Sequence, residues 1–303
     1  MKKAPPRISI VIPALNEEKH LPVLLESIKK QKYKDYEVIV ADAGSKDKTV
    51  EIAKSYKASV VPGGMPGPGR NRGAEAAVGD FLFFFDSDVI LPPDFLSRAM
   101  TELDDRFIDL ATCEFKPDSN LRLDQVLFHF ANLSVKVNQG INPRAAGFCI
   151  FTTRRLFNRV GGFDEKVKLA EDHDFVQRAS KFRPLKFLNS VHLTVSTRRL
   201  DKEGRFSLIG KYAQVEMHLL LKGKVTEDIV EYEFANFDEK NTKTKKFLDD
   251  LETSIVDIEN KYNDFQKKYQ QFRDDQKAEG EDAIRSAYNS VEALVRSVFA
   301  KKS

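Results

Sequence analysis

Over the first third of the chain, apolar positions alternate between two rhythms. Ile8-Ser9-Ile10-Val11-Ile12 is a β-branched run that reads as a strand stopped by Pro13. From Asn16-Glu17-Glu18 onward, Leu21, Leu24, Leu25 and Ile28 recur at helical spacing. The cycle then repeats. Tyr36 to Ala41 predicts a second strand, Asp42 to Asp47 a turn rich in capping residues, and Thr49 to Tyr56 a second helix. Ser59-Val60-Val61 predicts a short third strand, Pro62 to Gly69 a loop, and Arg70 to Val78 an Ala-rich helix leading into Gly79-Asp80-Phe81-Leu82-Phe83-Phe84-Phe85. That last run is too apolar for a strand with one wet face, so it predicts burial on both faces. Strands alternating with helices specify a mainly parallel sheet with right-handed crossovers, an α/β fold.

Asp86-Ser87-Asp88 follows the buried run directly. Open α/β sheets bind ligands just beyond the carboxyl ends of their strands, and residues i and i+2 of an extended segment point the same way. Asp86 and Asp88 are thus placed to share one hard cation, or for one to hold the cation while the other meets a ribose. Mg²⁺ and similar ions take oxygen ligands together with substrate phosphates. The plain alternative is two solvated acids in a turn. Topology brings two further loops to the same edge, with Ala14, Asn16 and Glu17 after the first strand and Asp42, Gly44 and Ser45 after the second. An aspartate ending the second strand suits ribose or base recognition, as a rigid acceptor, or an Asx turn that caps the next helix.

Composition narrows the classes. A chain of 303 residues has room for one large domain with an appendage or for two modest domains. A net charge of +3, with basic residues mixed among acids, does not point to nucleic acid as a partner. Cys113 and Cys149 are the only cysteines, too few and too far apart in sequence for a disulfide framework or a thiolate metal site. They read as buried small hydrophobes in a reducing compartment. The start lacks the apolar core of a signal peptide, and no stretch approaches the ~18 apolar residues of a membrane span. The expected location is cytoplasmic, with a peripheral place at the inner face of the cell membrane left open.

The linked motifs are more specific than any one of them. Ile10-Val11-Ile12-Pro13-Ala14-Leu15-Asn16-Glu17-Glu18, Asp42-Ala43-Gly44-Ser45-Lys46-Asp47-Lys48-Thr49, Gly69-Arg70-Asn71-Arg72-Gly73-Ala74 and Asp86-Ser87-Asp88 resemble, in order and spacing, family 2 glycosyltransferases of the GT-A fold. The resemblance continues through Gly147-Phe148-Cys149-Ile150-Phe151, Gly161-Gly162-Phe163-Asp164-Glu165 and Glu171-Asp172-His173-Asp174, and covers about residues 7–200. It implies transfer of a sugar from a nucleotide-diphosphate donor to a lipid-linked or glycan acceptor, usually with inversion, with Mg²⁺ or Mn²⁺ on the diphosphate.

The same resemblance implies that Ala14, Asn16, Glu17, Asp42, Gly44, Arg70, Asn71, Asp86 and Ser87 meet the nucleotide sugar. It makes Asp88 the main metal ligand, with Asp86 shared between metal and ribose. Asp172, with Glu171 beside it, stands at the catalytic-base position; both acids could equally serve a helix N-terminus. His192 lies where some such enzymes supply a further metal ligand, although a lone histidine is more often structural. Ser196 to Arg205 is a dense basic loop, and similarly placed segments suggest a lid whose Arg198 and Arg199 hold the diphosphate; a solvated basic loop is the alternative. Rival functions are a nucleotidyltransferase, which would carry a Gly-rich basic loop after the first strand, and a catalytically silent scaffold. Residues 14–18 are acidic instead, and the three aspartates 86, 88 and 172 are intact.

Beyond this region the pattern changes. Phe206 to Leu221 is compatible with an amphipathic helix that either closes the core or lies on an anionic bilayer. After Asn236 a charged linker leads to Leu248, Leu251, Ile255, Ile258, Tyr262, Phe265, Tyr269 and Phe272, a heptad seam, and Gly280 separates it from a second stripe, Ile284 to Val298. The division expected is a GT-A domain over 1–236 and an α-helical coiled-coil or hairpin module over 237–303, serving self-association or partner binding through 248–298.

Overall fold

The computed structural model describes residues 5–140 and 142–203, with isolated positions between 253 and 267. By its contacts the chain separates into two units, residues 1–120 with 138–235 and residues 121–137 with 236–303. The basic segment beyond Glu203, the amphipathic stretch to Leu221 and both apolar stripes of the C-terminal module lie outside the described residues, apart from those isolated positions.

Among the described residues, the first unit carries eight strands and most of the helices. In chain order these are β1 (Ile8–Ala14), α1 (Leu21–Lys29), β2 (Tyr36–Asp42), α2 (Thr49–Ser55), β3 (Ser59–Pro62), α3 (Pro66–Ala76), β4 (Phe81–Phe84), β5 (Val89–Ile90), α4 (Phe95–Asp105) and β6 (Leu110–Pro117). Then come α5 (Arg122–Asn138), almost wholly in the second unit, β7 (Ile150–Thr153), α6 (Arg154–Val160), α7 (Glu171–Ser180), β8 (Lys186–Val195) and α8 (Arg198–Glu203).

The sheet order is β3-β2-β1-β4-β7-β6-β8-β5. The first four strands are parallel, β7 runs against both β4 and β6, β8 is parallel to β6, and β5 is antiparallel to β8. The sheet is therefore mixed α/β. Chain order reverses at β1, which has β2 on one side and β4 on the other, so a crevice opens at the carboxyl ends of these strands.

Local chemistry accounts for the departures from the expected elements. β1 runs on through Pro13 to Ala14, because its pairing with β4 ends at Val11 opposite Phe84 and the missing proline N–H breaks no ladder bond on that side. α3 begins at Pro66, inside the expected loop: a proline in the first turn loses no helical bond, and the Gly69 amide already donates to the Met65 carbonyl. The Phe-rich run is indeed buried on both faces. Period-2 alternation sends Phe83 and Phe85 to a cluster with Phe95 and Phe151, and Phe84 to one with Phe157, Phe163 and Phe175. A β-bulge shifts the β6–β8 register between Cys113, opposite Leu188, and Glu114, opposite His192. The amides of Asn189 and Ser190 in that bulge donate to Glu102 on α4.

Candidate active site

The β1 and β2 loops are knit into one surface. Asn16 adopts a left-handed conformation (φ 55°), accepts from the Lys46 amide at 2.9 Å, and donates its own amide to Ser45 Oγ. The Glu17 amide donates to Thr49 Oγ1, and the Glu18 amide donates to Asp47. Asp42 ends β2. Its Oδ2 accepts from the amides of Gly44 and Ser45, as an Asx turn would have it, while its Oδ1 is buried without a partner. Only one of its two oxygens is used by the turn, which leaves a buried acceptor free at the carboxyl end of β2.

Beyond β4, Asp86 is half-exposed, Ser87 is buried, and Asp88 is mostly covered. Burial pushes the Asp88 carboxyl above its ordinary value; Arg198 opposes this, and Asp86 and Glu17 add to it. Arg198 supplies the compensating charge. Its two Nη atoms donate to Glu17 Oε1 and Oε2 at 2.7 and 2.8 Å, and its Nε donates to Asp88 Oδ2 at 2.9 Å. His20 Nδ1 lies 3.1 Å from the same guanidinium. The Ser196 amide donates to the Asp88 carbonyl, which fixes the start of this segment beside the acids. Arg199 is exposed.

Arg70 lies at the centre of the arrangement. It is buried, with Nη2 donating to Asp86 Oδ1 at 2.8 Å and Nη1 to Glu171 Oε1 at 2.7 Å. The Phe163 ring lies 5.5 Å from its guanidinium carbon. Gly147 packs flat against it, and a Cβ there would overlap Nη2. The Gly147 amide in turn donates to Asp172 Oδ2 at 2.7 Å, and the His173 amide to Asp172 Oδ1. Burial and the neighbouring Asp172 push the Glu171 carboxyl up against the opposing pull of Arg70. Burial lowers the basicity of His173, with Asp172 opposing and Arg144 adding, and its Nδ1 has no hydrogen-bond partner. Ala170, just before these acids, is held at φ 62°, the kind of strain that persists where surrounding structure over-determines it.

Two expected residues are placed elsewhere. Asn71 is engaged by the turn after α6: its Oδ1 accepts from the Phe163 amide and its Nδ2 donates to the Phe163 carbonyl and to Glu165. His192 sits on β8 four residues before Ser196, whose amide donates to the Asp88 carbonyl, so strand rise sets it about 13 Å back from the level of Asp88. Among the described residues, no three His, Cys, Asp or Glu side chains converge as a ready metal cage. Ala14, Asn16, Glu17, Asp42, Gly44, Asp86, Ser87 and Asp88 do share the crevice end of the sheet, and Arg70 links that group to Glu171. Sequence reasoning missed His20 and the Gly147–Arg70 packing. Only His20 had a signal, its i, i+3 spacing from Glu17.

Cys113 and Cys149, distant in sequence, are brought together: both are buried and free, with Sγ atoms 3.2 Å apart.

This is the plan of a mixed α/β protein with a crevice at the switch point of its sheet, between the β1 and β2 loops and an acidic helix start. The profile of glycosyl transferase family 2 matches residues 9–160, half of the chain, and the chain belongs to that family. It is 28% identical over 200 residues to the poly(ribitol-phosphate) beta-N-acetylglucosaminyltransferase TarS of Staphylococcus aureus, covering 62% of this chain and 34% of that protein. The chain thus spans about a third of that relative's length. Among solved structures it resembles S. aureus TarS 1–349 in complex with UDP-GlcNAc (TM-score 0.52, 23% identity, 63% of this chain and 58% of that one). It also resembles the mannosyltransferase PcManGT from Pyrobaculum calidifontis in complex with GDP-Man and Mn²⁺ (TM-score 0.52, 21% identity, 63% and 57%). At these identities the structures establish a shared GT-A-like fold. No helix among the described residues is long and apolar enough to cross a membrane.

Proposed function

We propose that the protein transfers a sugar from a nucleotide-diphosphate donor to a hydroxyl of a lipid-linked or glycan acceptor, with inversion at the anomeric carbon. The observation that carries this is the pair of carboxylate groups joined by Arg70: Asp86 with Asp88 on the donor side, Glu171 with Asp172 on the other. Such a division supplies a seat for an anionic leaving group and a separate base, which is what displacement at an anomeric carbon requires.

Each residue has a stated task. Asp42 Oδ1 accepts from an N–H of the base or a hydroxyl of the ribose, satisfying its buried orphan oxygen. Arg198 and Arg199 face the diphosphate from the segment after β8. Asp172, held by two backbone amides, takes the proton of the acceptor hydroxyl as that oxygen bonds to the anomeric carbon and the bond to the diphosphate oxygen breaks.

The donor-side acids fit Mg²⁺ or Mn²⁺. They are hard oxygen ligands, they crowd negative charge around Asp88, and Asp86 Oδ2 has no hydrogen bond among the described residues. When bound there by Asp88 and Asp86, such an ion neutralises charge on the departing diphosphate.

A thermal-shift screen of UDP-, GDP- and dTDP-sugars with and without Mn²⁺ tests the proposal, since a ligand of the folded state raises its melting temperature. One nucleotide class should shift the parent protein in Mn²⁺ and fail to shift Asp88→Asn. No shift with any of them would refute the donor site.

A further inference from the structure

A donor seat on one side of a crevice and a base on the other must be held in register, and one buried side chain touches both. We infer that Arg70 is a positioning residue, a tie between donor-side Asp86 and acceptor-side Glu171 and Asp172, and that it does not contact the nucleotide. The inference rests on the transferase function proposed above.

Little of its surface is open to a ligand, although its buried Nε has no hydrogen-bond partner. Arg70 is 2% exposed, with the Phe163 ring on one side and the Gly147 backbone packed against Nη2. Each Nη is committed to a different carboxylate, at 2.8 and 2.7 Å. The planar fork makes this possible, since it presents two donors in fixed, divergent directions; a lysine ammonium is a single point and reaches only one of the two acids well.

The tie acts on the first two acids of α7, Glu171 and Asp172. Glu171 is held directly. Asp172 is held through Gly147, whose amide donates to it while its Cα rests on the guanidinium. Four segments distant in sequence meet here, at residues 70, 86, 147 and 171. Among the described residues, Arg70 alone pairs with both Asp86 and Glu171. Burying a charge between two anions is a poor route to stability, which favours a geometric role for its retention.

The test compares the full-length parent with Arg70→Lys and Gly147→Ala. The lysine keeps the charge and loses the fork; the alanine keeps Arg70 and pushes a methyl into it. Calorimetry with UDP, GDP and dTDP in Mn²⁺ reads the donor seat, and release of nucleotide from the matching sugar donor, with water as acceptor, reads turnover. A positioning role predicts nucleotide affinity within about threefold of the parent and turnover lower by about 10²-fold, the scale of an ångström-level misplacement. Parental turnover in Arg70→Lys would overturn the inference, because charge alone would then suffice. Affinity falling in step with turnover would overturn it too, by making Arg70 part of the nucleotide site or merely of the fold. Gly147→Ala discriminates in the same way if the lysine variant does not fold. A parent that binds none of UDP, GDP and dTDP would refute the transferase function itself, and this inference with it; a parent that binds while the variants match it in turnover refutes the positioning role alone.

Discussion

Replacing Arg198 by glutamine should change metal and donor binding in opposite directions. In the structure its guanidinium makes three charge-assisted hydrogen bonds, two to Glu17 and one to Asp88, and so competes for the carboxylate proposed above as the main metal ligand. The side chain is 40% exposed, so solvent screening limits each pair; an exposed pair contributes about 1 kcal/mol at most. Removing that competitor from Asp88 should tighten Mn²⁺ binding, in the absence of nucleotide, by about fivefold. With nucleotide the sign reverses. The diphosphate loses a guanidinium partner, and a hydrogen bond to a charged group is worth about 1.5–3 kcal/mol, so donor affinity should fall by about 10- to 100-fold. Calorimetric titration of Mn²⁺ alone, then of UDP or GDP at saturating Mn²⁺, separates the two effects. Mn²⁺ affinity that is unchanged or weaker in Arg198→Gln would refute the idea that Arg198 stands in for the cation. Unchanged nucleotide affinity would remove it from the diphosphate site.

Asp172→Asn keeps the side chain's shape and cannot accept the acceptor proton, so turnover should fall by about 10² or more while Mn²⁺-nucleotide binding survives; the same loss in Glu171→Gln with Asp172→Asn near parental would move the base to Glu171. Asp42→Asn can keep the Asx turn and turns the orphan oxygen into a donor, so UDP or GDP affinity should drop by about tenfold with the melting temperature held, and equal affinity would take Asp42 out of the base site. Glu102 gives a pH-dependent stability. Burial works to raise its carboxyl, yet the Ser190 hydroxyl and amide, the Asn189 amide and Arg106 outweigh burial and hold it below its ordinary value of 4.5. A depressed folded-state value contributes stability that is present at neutral pH and lost as pH falls through that value. Urea titrations should therefore find Glu102→Gln less stable by about 1–3 kcal/mol at pH 7, with the gap closing in acid; a gap independent of pH would show that shape, and not charge, is what the bulge amides need.

What the sequence made legible follows from the range of each interaction. β1, β2, α1 and the Phe-rich strand were readable because burial on one face or two leaves a local period, and Asp42, Asp86 and Asp88 were located because strand ends follow from it. The first turn of α3 was not, since Pro66-Gly67-Pro68-Gly69 has the composition of a loop; its glycines answer to partners far away, Glu171 against Gly67 and Pro13 against Gly69. The two-residue β5 has no period to read, and only its pairing with β8 makes it a strand. Asn71 was expected at the nucleotide and is found bracing Phe163, a contact across 92 residues that nothing local announces. The approach of Cys113 to Cys149 is of the same kind.

The polar tie at Arg70 depends on an apolar one beneath it. Phe163 stacks on Phe175 with ring centroids 4.5 Å apart, and both belong to the cluster on the Phe84 face of β4. Phe175 lies one turn into α7 from Glu171, and Phe84 lies two residues before Asp86, so the stack spaces the two acids before any charge is considered. A guanidinium inserted into a gap of preset width can bridge both sides without pulling the helix to the sheet, and the Phe163 ring that helps set the gap also covers it. The double apolar alternation of the Phe-rich run therefore serves more than stability. One of its faces anchors the sheet, and the other sets the distance between Asp86 and Glu171 that Arg70 bridges.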